Sequence, residues 1–233
     1  MLNNLNPTTI ITYIIILLVA FPLHEFAHAW TATQFGDDTP RMNGRLTLNP
    51  LAHLDVLGSL LLFVANFGWA KPVPVNPYAL ERRSPAALMW VSLAGPLTNF
   101  LLAILAAAIR LGLSLVTEKF ALSAGVLPFI NQVLVIFIYI NLLLALFNMI
   151  PLAPLDGEKI ASYFLPPSIG RYFDIIRPYG PMILMLLFVA GSFLGFNVIG
   201  QIIGPPLEFL FRLLVGQGNP CVSDIGPASS GMP

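Results

Sequence analysis

Apolar residues gather into long runs along this chain, and polar residues mark the joints between them. Four runs approach the roughly 20 residues that a bilayer-spanning helix needs. They cover residues 9–30, 85–110, 127–150 and 181–199. A fifth run, 56–69, is shorter, and its length suits a re-entrant or interfacial segment better than a span. Residues 206–215 can form a short amphipathic helix lying at the interface. Between the first two spans the period changes. Gly44-Arg45-Leu46-Thr47-Leu48-Asn49 alternates apolar and polar residues, as a half-exposed strand does. Lys71-Pro72-Val73-Pro74-Val75 is extended by its prolines and can only be an edge strand. The pattern predicts a small sheet or extended loop near the membrane surface, with an irregular loop as the alternative.

The expected fold is therefore an all-α polytopic membrane protein. It has about four transmembrane helices and a short re-entrant or β insert after the first. Residues 1–215 form a single transmembrane domain with no internal repeat. Residues 216–233, rich in Gly, Pro and Ser, are expected to be a disordered tail. The N-terminus has no basic n-region, and the apolar stretch behind it is too long for a signal-peptide core, so the first span is expected to be retained.

Composition agrees. Of 233 residues, 57% are hydrophobic and 9% charged, against about 25% charged in an ordinary soluble domain. Formal net charge is zero and no Lys/Arg run exists, so no nucleic-acid partner is expected. The single Cys221 excludes a disulfide framework within the chain and a cysteine-based metal site. Loop charges orient the spans. Arg41, Arg45, Lys71, Arg82, Arg83, Lys159, Arg171 and Arg177 fall on one side, and Arg110, Lys119 and Arg212 on the other. The first side should be cytoplasmic, with Arg82-Arg83 as an anchor and both termini outside, provided that residues 56–69 do not cross.

The chemistry concentrates in His24-Glu25-Phe26-Ala27-His28. On a helix, positions i and i+4 share one face, so both imidazoles can reach one metal. Glu25 beside them can take a proton from water. Charged residues inside a span cost a few kcal/mol each and are rare without a role. A catalytic zinc site has three protein ligands and an open fourth position, so a third ligand must come from elsewhere. Asp156, in Asn148-Met149-Ile150-Pro151-Leu152-Ala153-Pro154-Leu155-Asp156-Gly157, directly follows the third span. Pro151 and Pro154 break the helix before it, and Gly157 permits close backbone approach. Its alternative role is N-cap of a short helix over residues 157–164.

These two motifs together resemble the site-2 protease family of intramembrane metalloproteases, in particular its compact prokaryotic branch without a PDZ domain. That family pairs a transmembrane H-E-x-x-H with a downstream N-x-x-P-x-x-x-L-D-G. Asn148, Pro151, Leu155, Asp156 and Gly157 match the second pattern at every specified position. Gly95-Pro96-Leu97-Thr98-Asn99 resembles a G-P-x-x-N element of the family's middle helix. The resemblance implies that His24, His28 and Asp156 ligate one zinc ion per chain and that Glu25 activates the water. It places Asn148 near the scissile carbonyl, where an amide can bind developing negative charge. The substrates would be membrane proteins cut in or near their spanning segments, in the cell membrane, at a site toward the cytoplasm.

Asn148 can alternatively bond a neighbouring helix backbone, and Asn99 reads as structural glue between helices. Gly95-Pro96 marks a kink. His53 is either a surface-loop residue or a group approaching the metal from the insert, and is not counted as a ligand. A metal transporter would need ligands but no base, and usually shows repeated halves. An inactive relative that escorts membrane proteins would lack a ligand or the base. Gly44–Asn49 or Lys71–Val75 could receive an unwound substrate by strand addition.

Overall fold

The computed structural model describes residues 7–65, 68–120, 126–194 and 198–216. In chain order the helices are α1 (Pro7–Ile15), α2 (Phe21–Gln34), α3 (Thr39–Met42), α4 (Pro50–His53), α5 (Val56–Ala65), α6 (Pro77–Arg83), α7 (Ala87–Phe120), α8 (Val126–Asn148), α9 (Asp156–Phe164), α10 (Pro167–Ile176), α11 (Gly180–Leu194) and α12 (Val198–Val215). A single π-helical turn, Ile16–Ala20, joins α1 to α2, so Pro7–Gln34 forms one 28-residue helical rod. Such turns insert a residue into the helix and often sit near functional sites; this one immediately precedes the H-E-x-x-H.

Four helices among the described residues are long and apolar enough to cross a membrane: Pro7–Gln34, Ala87–Val116, Val126–Asn148 and Val198–Val215. The first three match the expected runs. The fourth lies elsewhere. The run expected at 181–199 falls largely on α11, described over 15 residues, and its residues 195–197 lie outside the described ones. The stretch expected to lie at the interface is instead the second half of α12. Ile203, Leu207, Phe211 and Val215 are buried at four-residue spacing, and Phe211 meets Tyr139 of α8 edge-on, 5.6 Å between ring centres. This apolar stripe carries the helix through Pro205 and Pro206; prolines that would break a solvated helix are tolerated where neighbouring helices pack around them.

The core lies where α7 packs between α2 and α8. Ala103, Ala106 and Ala107 of α7, Ile16 and Ala20, and Val135, Ile138 and Leu142 of α8 are buried there. Small residues on α7 let the backbones approach closely, as helix association in lipid requires.

The insert between α2 and α7 follows the loop alternative rather than the sheet. Among the described residues there is one isolated antiparallel bridge, Leu54 to Ala70, and no strand. Residues 44–49 alternate for another reason. Gly44 turns the chain at φ +66°, the buried Arg45 guanidinium donates to the carbonyls of Ala52 and Lys71, and Asn49 caps α4. Residues 71–75 are extended but paired to no strand. The bridge brings the two ends of the 54–70 stretch together, and Gly58 lies so close to Trp69 that an added Cβ would sit 2.2 Å from the Trp69 carbonyl oxygen. Phe63 of α5 packs edge-on against Tyr13 of α1. α5 therefore packs beside α1, and residues 66–67 lie outside the described residues. The tail from residue 217, with Cys221, lies outside the described residues.

Candidate metal centre

His24 and His28 stand one turn apart on α2, both buried, with their Nε2 atoms 3.1 Å apart. One face of α7 seats them. His28 Nδ1 lies 2.6 Å from the Val91 carbonyl oxygen, and His24 Nδ1 lies 2.6 Å from Asn99 Oδ1. Between these two positions, Gly95 leaves the space the rings occupy: a Cβ there would stand 2.3 Å from His28 Nε2 and 2.6 Å from His24 Nε2. Residues 91, 95 and 99 recur every four positions and so share one helix face.

Asp156 arrives from the other side. After α8 ends at Asn148, the proline-rich loop turns the chain back, and α9 opens at Asp156 with Leu155 as its N-cap. The short helix foreseen from the sequence exists, but Asp156 is its first residue rather than its cap. Its carboxylate Oδ2 lies 3.2 Å from His28 Nε2 and 3.5 Å from His24 Nε2. Gly157 allows this: an added Cβ would stand 2.3 Å from the Met149 carbonyl oxygen and 2.4 Å from that of Ile150.

The arrangement fits a cation. Both carbonyl-type partners of the Nδ1 atoms can only accept, so each Nδ1 carries a proton and each Nε2 is left with a lone pair. Two lone pairs and a carboxylate oxygen then face one point, with ligand atoms within 4.8 Å of one another. Such a set repels itself without a positive charge at its centre. Two imidazoles and one carboxylate are donors suited to zinc.

Glu25 is buried beside this cluster, and its Oε2 accepts the backbone N–H of Val73 at 3.0 Å. Val73 belongs to the extended strap 71–76, which is tied at both ends. Lys71 N–H donates to His53 C=O at 2.7 Å, and Asn76 N–H donates to the buried Asp37 at 2.6 Å. The strap, the cluster and the helices enclose a cavity of ≈ 1510 Å³, lined by His24, Glu25, Asp156, Val73, Phe147 and Gln132 among others. From Gln132 to Asn148 along α8 it runs about 24 Å. Asn148 lines it, with its amide nitrogen donating to Leu144 C=O at 3.0 Å.

The structure thus brings together His24, His28 and Asp156, with Glu25 and Asn148 on the same cavity. His53 is not among the clustered donors. It is fully buried inside the insert, its Nε2 2.7 Å from Thr47 C=O, so it is not a surface residue. The supporting groups were not foreseen. Asn99 was visible as a polar residue inside an apolar span, but its partner was not. Gly95 reads as a kink in the sequence and as ring space in the structure. The Val91 carbonyl and the Val73 amide belong to the backbone, which carries no sequence signal.

Comparison with known proteins places these features in context. The family model described as "Peptidase family M50" matches residues 12–190. "Putative zinc metalloprotease YwhC" of Bacillus subtilis (strain 168) is 40% identical over 189 residues, 78% of this chain and 83% of that protein. "Putative zinc metalloprotease Rip2" of Mycobacterium tuberculosis (strain ATCC 25618 / H37Rv) is 32% identical over 76% of this chain and 66% of its own length. Rip2 of Mycolicibacterium smegmatis is 32% identical over 74% and 64%. No solved structure matches the chain.

Proposed function

The chain belongs to peptidase family M50, the site-2 protease family, and from that premise we propose how its residues divide the work. It is an intramembrane zinc metalloprotease. In our reading it is an endopeptidase that cuts other membrane proteins in or near their spanning segments. His24, His28 and Asp156 hold one zinc ion, and residues 1–215 form the working domain. When bound, zinc supplies Lewis-acid polarisation of the scissile carbonyl and acidification of the attacking water.

The chain's own groups do the rest. Glu25 takes the proton from the attacking water and delivers it to the leaving amine. Asn148, which has a second amide proton beyond the one given to Leu144, donates to the developing oxyanion. The cavity length accommodates about seven residues of extended peptide, at roughly 3.3 Å per residue. A helical substrate hides its peptide bonds behind its own hydrogen bonds, so it must unwind before attack. The strap 71–76 is the edge it would meet, and pairing there would follow strand addition. The loop charges put this site toward the cytoplasm of the cell membrane. Cysteines at Arg41 and Arg82 should be labelled only from that side and one at Lys119 only from outside; the opposite labelling would invert the topology.

The observation that carries the reading is a buried carboxylate, Glu25, beside a three-donor cluster that does not include it. A transporter has no use for such a base. Glu25→Gln should keep zinc content and thermal stability and lower cleavage of a model transmembrane substrate at least about a hundredfold, the scale of proton transfer by a placed side chain. Asp156→Asn should lose zinc and activity together. Wild-type cleavage by Glu25→Gln would remove Glu25 from the mechanism.

A further inference from the structure

Behind His24 runs a buried chain of amides. His24 Nδ1 meets Asn99 Oδ1 at 2.6 Å. Asn99 Nδ2 donates to Asn141 Oδ1 at 3.2 Å, and Asn141 Nδ2 donates to the Phe137 carbonyl at 2.9 Å. Both asparagines are fully buried. A buried amide left unpaired is costly, so each end of each amide is constrained.

The direction of this chain is not free. A backbone carbonyl can only accept, so the nitrogen of Asn141 must face Phe137. Its oxygen must then face Asn99, which requires the nitrogen of Asn99. The oxygen of Asn99 is left for His24, whose Nδ1 must carry the proton. The main chain of α8 thereby dictates, through two side chains, that His24 presents a lone pair at Nε2.

We propose that Asn99 and Asn141 are positioning residues forming a relay from the Phe137 carbonyl that fixes the tautomer and plane of His24 toward the metal. The two imidazoles are supported differently. His28 leans on the Val91 carbonyl, which no substitution removes, whereas His24 depends on side chains from two further helices. Outer partners of a metal-binding histidine raise its basicity and hold its ring, and their loss typically costs about 10–100-fold in metal affinity. The relay also makes zinc affinity sensitive to how α7 packs on α8.

The inference rests on His24 being a ligand. The chain has three histidines, so ring ¹⁵N spectra of the full-length zinc-loaded protein can be assigned by substitution. His24 should show a proton on Nδ1 in slow exchange with water. Asn99→Leu should abolish that protection and weaken zinc binding roughly 10–100-fold in chelator competition. Asn141→Leu should act in the same direction and more weakly, because it leaves Asn99 free to flip. Asn99→Asp keeps the shape and the acceptor, and should retain both the protected proton and most of the affinity. If the leucine variants fail to fold, the wild-type spectrum and the isosteric Asn99→Asp still decide. A wild-type His24 without the Nδ1 proton, or Asn99→Asp that loses zinc as Asn99→Leu does, overturns the relay. His24→Ala losing zinc while Asn99→Leu binds it unchanged overturns the relay alone. His24→Ala with full zinc overturns the ligand reading and the relay with it.

Discussion

The face of α7 and the strap 71–76 flank the same centre and are built in opposite ways. The α7 face is helical and buried, and it meets the imidazoles through a carbonyl, a missing side chain and an amide spaced every four residues. The strap is extended, unpaired with any strand, and touches the site through one backbone N–H. Metal ligands must be held within a fraction of an ångström, which a packed helix provides. A substrate edge must be extended, and this segment is, held by the N–H groups of Lys71, Val73 and Asn76. The difference teaches where each kind of substitution should be felt: in zinc retention on the α7 side, in turnover on the strap side.

The strongest test of that division is Gly95→Ala. Its methyl group would overlap both imidazoles, whose outer nitrogens are already engaged, so the rings cannot swing clear. Zinc affinity should fall by about a hundredfold or more, beyond the loss of an outer partner, measured by zinc content after dialysis against a buffered chelator. Full zinc retention would mean that the α7 face does not seat the ligands.

On the strap, Val73→Pro removes the single N–H that reaches Glu25, in a segment whose neighbours are already proline. Zinc content should not change. A hydrogen bond to a charged group contributes about 1.5–3 kcal/mol, so kcat should fall about ten- to a hundredfold, with KM for a transmembrane substrate little changed. A zinc loss equal to that of Gly95→Ala would erase the contrast between the two walls.

The smallest effect on the centre is expected at Asp37, which anchors the far end of the strap. Its carboxylate accepts the N–H groups of Asn76 and Thr39, at 2.6 and 2.9 Å. Asp37→Ala should leave zinc bound and lower stability by about 1–3 kcal/mol through the unpaired groups. It should also expose the strap to cutting by a soluble protease added from the site's side. An unchanged cutting pattern would show that the strap is held by something other than this tie.

The positions of the first three spans, the paired histidines, the adjacent glutamate and the returning aspartate were all legible in the amino-acid order. Each depends on a local rule: the length of an apolar run, the i, i+4 geometry of a helix, or the helix-breaking action of Pro151 and Pro154 ahead of Gly157. Where packing between distant segments outweighs the local rule, the pattern misleads. Pro206 read as the start of a separate interfacial helix, yet burial of Ile203, Leu207, Phe211 and Val215 keeps α12 whole. The alternation over 44–49 read as a strand, yet Arg45 points inward to bind two carbonyls. His53 read as a loop residue and is enclosed completely. Local order alone determined which groups could make a metalloprotease in a membrane. Only the tertiary structure decided what supports them, because the partners of His24, His28 and Glu25 lie 48 to 75 residues away in the chain. Two of those three partners are backbone groups, which every residue carries and no sequence position advertises.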